Sequence, residues 1–287
     1  MKLLQTGPDR YSAPPKDYLP TVNPRTLAFF VGVVALGLPT VLLVASLFPV
    51  SELRTCFRNS ISNYYYAQFW GGPFIGALIF IGTYMLAYRG QHPAESRLSS
   101  IAGFFAIGVA LFPVSGHGCD AASFRARALT NFGPDSDGGP LDLLKHPAVD
   151  NLPDITAYFR LTSYSDIIHY TSAGMLFIVL AWFAFFVFSA VQPHQRQPDG
   201  SLMPNKRRRN IIYHSCGAVM VAAILVMAFN AITVWRTGAP LSGWNTYNLT
   251  FWCEAVALWA FGLSWAVKSR FWGTALRDQE DARPLAP

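Results

Sequence analysis

Six blocks of apolar residues, each about the length a helix needs to cross a hydrocarbon layer some 30 Å thick, constrain this chain more than any other feature. They fall at 27–50, 69–88, 98–114, 167–191, 211–234 and 250–267. Lipid offers a backbone no hydrogen-bond partners, so a spanning segment must satisfy its own amides, which a helix does. Composition points the same way. The chain is 52% apolar and 13% charged, against about 25% charged for an ordinary soluble domain. The expected fold is therefore all-α, a polytopic membrane bundle of six transmembrane helices. Its parts are an N-terminal tail (1–26), the membrane domain (27–267) with a long third loop at 115–162 as a cap, and a C-terminal tail (268–287). The first tail carries "PPKDYLPTVNP" and is too long and too punctuated for a signal peptide's charged region,. The first span is expected to stay as an anchor.

Lys and Arg set the expected orientation, because cytoplasmic loops keep them. With a cytoplasmic N-terminus, that side collects 15 of the 22, including Lys206 to Arg209 in "NKRRRN". Both termini are thus expected in the cytoplasm, in the cell (cytoplasmic) membrane. The net charge of +6 reflects this asymmetry and contact with anionic lipid. A juxtamembrane explanation for the basic cluster leaves no reason to invoke nucleic acid.

Cys216 and Cys253 fall within spans and read as small apolar fillers,. Cys56 and Cys119 fall in loops on the outward side, where an oxidising compartment would let them pair. Gly72 and Gly76 form GxxxG in the second span, and Ala102 and Ala106 repeat the spacing in the third. Such pairs predict close helix contacts. In the third loop, "PDSDGGPLD" alternates Asp135 and Asp137 before Gly138 but lacks the further ligands and closing glutamate of a calcium loop,. It reads as a turn.

No GxSxG, HExxH, CxxC or P-loop signature is present,. The five lysines, Lys2, Lys16, Lys145, Lys206 and Lys268, lie outside the spans or at their ends, so a mid-membrane retinal Schiff base has no amine. Haem is disfavoured because His214 has no second histidine at its depth to complete an inner pair.

What remains is a set of polar residues that the topology sends to one membrane level. The first loop supplies Ser60, Ser62 and Tyr64 to Tyr66, and the end of the third span supplies His117 and Asp120. Asp166 and His169 open the fourth span, and Glu254 lies one turn into the sixth. Each has a plain structural reading. Ser163 and Asp166 fit an S-x-x-D helix cap, His169 could be interfacial, and the tyrosines could belong to an aromatic belt. Glu254 is the hardest to explain so, since an ionisable group within a span normally faces a partner.

Three chemistries fit these residue types. His117, His169 and Asp166 or Glu254 could hold zinc with one position left for water. Ser60 or Ser62 could be a nucleophile activated by a histidine that Asp166 or Asp120 orients. Alternatively Tyr65, His169 and Glu254 could bind a lipid headgroup with no bond broken.

"SISNYYY", "GVALFP" and "HYTSAG" occur in an order that resembles bacterial six-span proteins related to the Frag/DRAM/Sfk-like membrane family. The resemblance runs over most of 27–270. It implies a six-span protein, with eukaryotic members linked to remodelling of lipid-anchored proteins, lipid distribution and autophagy. It singles out Ser62, His169, Ser172 and Ala173. A fainter similarity is to membrane hydrolases that include the alkaline ceramidases, whose HxxxH pair is missing here. The leading expectation is an outward-facing polar pocket, under the third loop, that binds a membrane lipid or other amphiphile through Glu254, His169 and Asp166. A metal-dependent hydrolase of lipid amides or esters, and a structural or assembly subunit of a membrane complex, are the alternatives.

Overall fold

The computed structural model describes residues 24–48, 55–90, 93–114, 116–117, 123–124, 129–130, 158–159, 162, 164–191 and 195–269. Both tails beyond these bounds, most of the third loop, and with them Cys119, Asp120, Asp135 and Asp137 lie outside the described residues. Six helices are long and apolar enough to cross a membrane. They are α1 (Pro24–Leu47), α2 (Gln68–Ala87), α3 (Pro93–Leu111), α4 (Ser165–Trp182), α5 (Pro204–Thr237) and α6 (Leu249–Lys268). The protein is a multi-pass membrane helix bundle. Parts of the third loop add two small antiparallel ladders, 116–117 with 123–124 and 129–130 with 158–159.

Each helix packs on its neighbours in the chain, and α6 returns to α1, so the six form a closed ring in sequence order. Inward positions such as Val31, Leu42, Phe74, Met85, Leu180, Phe251, Phe261 and Trp265 are buried. Large apolar side chains on the outside, among them Phe30, Phe104, Ile178, Leu225 and Phe229, stay exposed. That distribution suits helices whose outer solvent is acyl chain.

Glycine sets the closest approaches, though not at the motif the sequence suggests. A Cβ on Gly72 or Gly76 would meet nothing within 4 Å, so that GxxxG face is not a packing seam in this chain. The seam between α2 and α3 is instead Gly82 against Gly103. A Cβ on Gly103 would come within 2.6 Å of the Gly82 carbonyl oxygen. Ala102 and Ala106 are fully buried, as their spacing predicts. Between α1 and α6, Gly32 and Gly262 face each other. A Cβ on Gly32 would lie 2.9 Å from the Gly262 carbonyl, and one on Gly262 would lie 2.8 Å from the Gly32 carbonyl.

Helix ends depart from the apolar blocks where polar residues are themselves good helix formers. α5 begins at Pro204, not near 211, and takes in the whole of "NKRRRN". Pro suits a first-turn position and Lys and Arg propagate a helix well. The result is 34 residues, about 50 Å of helix at 1.5 Å per residue. The basic cluster is therefore not a solvated loop. Lys206 and Arg209 are buried, while Arg207 and Arg208 are exposed. The Lys206 ammonium donates to the carbonyls of Phe188 (3.2 Å) and Ala190 (2.6 Å), and the Asn210 amide donates to that of Ser189 (3.0 Å). These carbonyls lie at and just beyond the end of Phe183–Phe188, a π-helical continuation of α4. The Lys206 ammonium and the Asn210 amide thus cap acceptors at this helix end.

Candidate functional site

At the opposite end of the bundle the segment between α1 and α2 folds inward. Thr55, Arg58, Ile61, Ser62, Asn63, Tyr64 and Ala67 are all buried there. Residues Ile61–Tyr66 form a short 3-10 helix whose N-cap, Ser60, accepts from the Ser62 amide at 3.1 Å. Tyr64 anchors the turn. Its hydroxyl pairs with that of Ser46 on α1, the Arg58 amide donates to it at 3.4 Å, and its ring meets that of Phe251 on α6. Burial pushes the Tyr64 and Tyr65 phenols above their usual range, so both stay neutral hydroxyls at physiological pH. The N-terminal turn of α2 packs directly on this loop. A Cβ on Gly71 would collide with the Tyr65 carbonyl.

Two helices grip this segment from different directions. From α6, the Glu254 carboxylate accepts from the Ser60 hydroxyl at 3.0 and 2.9 Å and from the Ile61 amide at 2.7 Å. One turn earlier the Phe251 amide donates to the Asn59 carbonyl at 2.8 Å. From α4, His169 reaches the same segment: its Nε2 lies 2.8 Å from Ser62 Oγ. Glu254 and His169 therefore meet on three consecutive residues, Ser60 to Ser62.

The other side of His169 is explained by how α3 ends. Pro113 has no amide hydrogen and cannot continue a helix ladder, and α3 stops at Leu111. Its terminal carbonyls need donors from elsewhere. His169 Nδ1 lies 2.7 Å from the Phe112 carbonyl oxygen, and the Ser165 hydroxyl donates to the Pro113 carbonyl at 2.7 Å. A carbonyl only accepts, so Nδ1 carries the proton. In the neutral ring Nε2 is then the acceptor, and Ser62 donates to it. The tautomer is fixed by the chain itself. Close approach of α3 and α4 beside this pair depends on Gly108, where a Cβ would come within 2.6 Å of Ser172 Oγ.

Several expected roles change accordingly. The partner at His169 Nδ1 is the Phe112 carbonyl, in the place expected for the Asp166 carboxylate. Ser163, the expected α4 cap, lies outside the described residues. Tyr164 precedes the helix without a side-chain cap bond, and Thr162 Oγ1 accepts from the Tyr164 amide at 3.2 Å. Both ring nitrogens of His169 are already hydrogen-bonded, so a zinc ion there would have to displace Ser62 or the Phe112 carbonyl. Among the described residues no three His, Cys, Asp or Glu side chains come together as a metal site. His117 enters only by its backbone, in a two-residue strand, and the metal set that included it reaches outside the described side chains. His214 sits at the other end, stacked on Phe185 with ring centres 6.0 Å apart. The free thiols among the described residues are Cys216 and Cys253.

No family model, curated protein or solved structure matches the chain. Its chemistry follows from its own residues.

Two site residues escaped the sequence reading: the carbonyl of Phe112 and the amide of Ile61. Both are backbone groups that any residue type supplies. The proline at 113 was the available signal for the first, since it announces a helix end with unpaired carbonyls.

Proposed function

We propose that this is a protein of the cell membrane with both termini cytoplasmic, and that its His169 end faces outward and recognises a lipid or other amphiphile. The orientation rests on charge. Exposed Arg89, Arg97, Arg207 and Arg208 all belong to the Lys206 end, which suits the cytoplasmic face.

One juxtaposition carries the binding reading. The Ser62–His169 pair is buried, at 7% and 2% exposure, while Tyr164, just before α4, and Ile167 and Tyr170 on its first turns are 65%, 63% and 64% exposed. Polar groups behind an apolar and aromatic rim match a molecule with a polar head and a hydrocarbon body. Tyr65 and Glu254 flank the same segment. The metal-dependent alternative gains no support from this geometry. The structural alternative does have an observation in its favour, since Glu254 and His169 make hydrogen bonds that tie helices to the first loop.

Native mass spectrometry of protein purified with its membrane lipids separates these two. On the binding reading, His169→Gln and Ser62→Ala lose retained phospholipid, whereas Gly76→Ala on the open face of α2 does not. Unchanged retention together with a lowered melting temperature in both site variants would favour the structural role.

A further inference from the structure

Ser62 and His169 do more than provide polarity, because the order of their hydrogen bonds is directional. A neutral acceptor, the Phe112 carbonyl, holds the proton on Nδ1, and the lone pair of Nε2 points at a serine hydroxyl 2.8 Å away. This is the arrangement that lets an imidazole take a proton from a serine as its oxygen attacks. Ser60 is less suited to the part. Its hydroxyl is committed to both oxygens of Glu254 and its oxygen already accepts from the Ser62 amide. Glu254 instead fixes the backbone through the Ile61 amide (2.7 Å), next to Ser62 in the chain. Glu254 is thus a positioning residue.

The buried pair has an exposed neighbour on α4. The ring of Tyr170 stands perpendicular to that of His169 with centres 5.9 Å apart, and Tyr170 is itself mostly exposed. On the amphiphile-binding reading, an ester at the junction of head and acyl chain reaches the pair past Tyr170.

Resting on the amphiphile-binding reading of the same site, we propose that Ser62 is a nucleophile and that the protein transfers acyl groups from ester-linked amphiphiles. Ser62 Oγ bonds to the ester carbonyl carbon while its proton passes to His169 Nε2. The carbon–oxygen bond to the head alcohol then breaks, and that oxygen takes the proton from Nε2. Water, or the hydroxyl of a second amphiphile, attacks the acyl-serine carbonyl and gives its proton to Nε2. The carbon–Ser62 bond breaks and the proton returns to Ser62. No oxidant or reductant is needed. A carbonyl dipole supports the transient imidazolium less than a carboxylate would, so turnover should be slow.

The test is covalent. Wild-type protein in nanodiscs of phosphatidylcholine and phosphatidylglycerol is treated with an alkyl fluorophosphonate, and adducts are mapped by peptide mass spectrometry. One adduct on Ser62 is expected, with release of p-nitrophenol from p-nitrophenyl octanoate blocked in proportion. His169→Gln should slow labelling about a hundredfold, the usual scale for losing a general base. The Ser62→Cys variant should be alkylated by iodoacetamide faster than the double variant that combines Ser62→Cys with His169→Gln. No adduct, or one mapped to another residue, overturns the proposal, and the wild-type map needs no variant to fold. Lipid retained without an adduct refutes catalysis and leaves binding standing. An adduct in a protein that retains no lipid does the reverse.

Discussion

The grip of Glu254 on the first loop can be weighed by a double-mutant cycle. Replacing Glu254 with Leu strips the Ser60 hydroxyl and the Ile61 amide of their shared acceptor. Each buried donor left unpaired costs about 1–3 kcal/mol. The same change removes a carboxylate from a span, which is favourable by up to about 3 kcal/mol at mid-membrane and less near an end. A single variant therefore mixes opposing effects of similar size, and its net sign decides nothing. The cycle cancels the transfer contribution. With wild type, Ser60→Ala, Glu254→Leu and the double variant, only the Ser60–Glu254 bond fails to cancel. A hydrogen bond contributes about 0.5–1.5 kcal/mol, or about 1.5–3 kcal/mol when its acceptor is charged, and the expected coupling energy spans that range. Reversible unfolding in mixed micelles, followed by circular dichroism against the mole fraction of dodecyl sulfate, supplies the four free energies. Distant, independent sites add within about 0.5 kcal/mol. A coupling below that would mean Ser60 and Glu254 are not bonded.

Other consequences follow from packing and capping. Gly103→Val should destabilise by more than about 1 kcal/mol, the lower range for overpacking, whereas Gly72→Ala should leave stability unchanged or raise it by up to about 1 kcal/mol through helix propensity; the same micelle assay reads both, and equal effects would contradict the seam at Gly82 and Gly103. Lys206→Met should lower stability by about 2 kcal/mol by leaving the Phe188 and Ala190 carbonyls without a charged donor, while Arg207→Met changes it little; the reverse order would refute the capping role. Pairing of Cys56 with Cys119, the expectation from their outward loops, predicts a mobility difference between reduced and non-reduced protein that is abolished in Cys56→Ser. Identical mobility would count against that bond.

The fold was largely legible because lipid leaves a chain few choices. Six apolar blocks became six helices, with boundaries shifted mainly where non-apolar helix formers extend them, as in "PAESR" of α3 and "PNKRRRN" of α5. Helix contacts were read less well. GxxxG in α2 marks small residues, but only three-dimensional placement decides which of them faces a neighbour. The site was half legible. The topology sent Ser62, His169 and Glu254 to one end, and the bundle joins them through the first loop. It could not show that a carbonyl rather than Asp166 would hold the imidazole, because main-chain acceptors have no residue signature. Nor could it separate Lys206 and Arg209 from their exposed neighbours, since a run of like charges carries no marker of which members turn inward.

The shared centre depends most on the state of one ring. Protein labelled with 15N-histidine in lipid, observed by solid-state NMR, reports the protonation of each nitrogen of His169, assigned through His169→Gln. Nδ1 should be protonated, and Nε2 should be an unprotonated acceptor whose resonance moves in Ser62→Ala. A proton on Nε2, or a spectrum indifferent to Ser62, would contradict that centre.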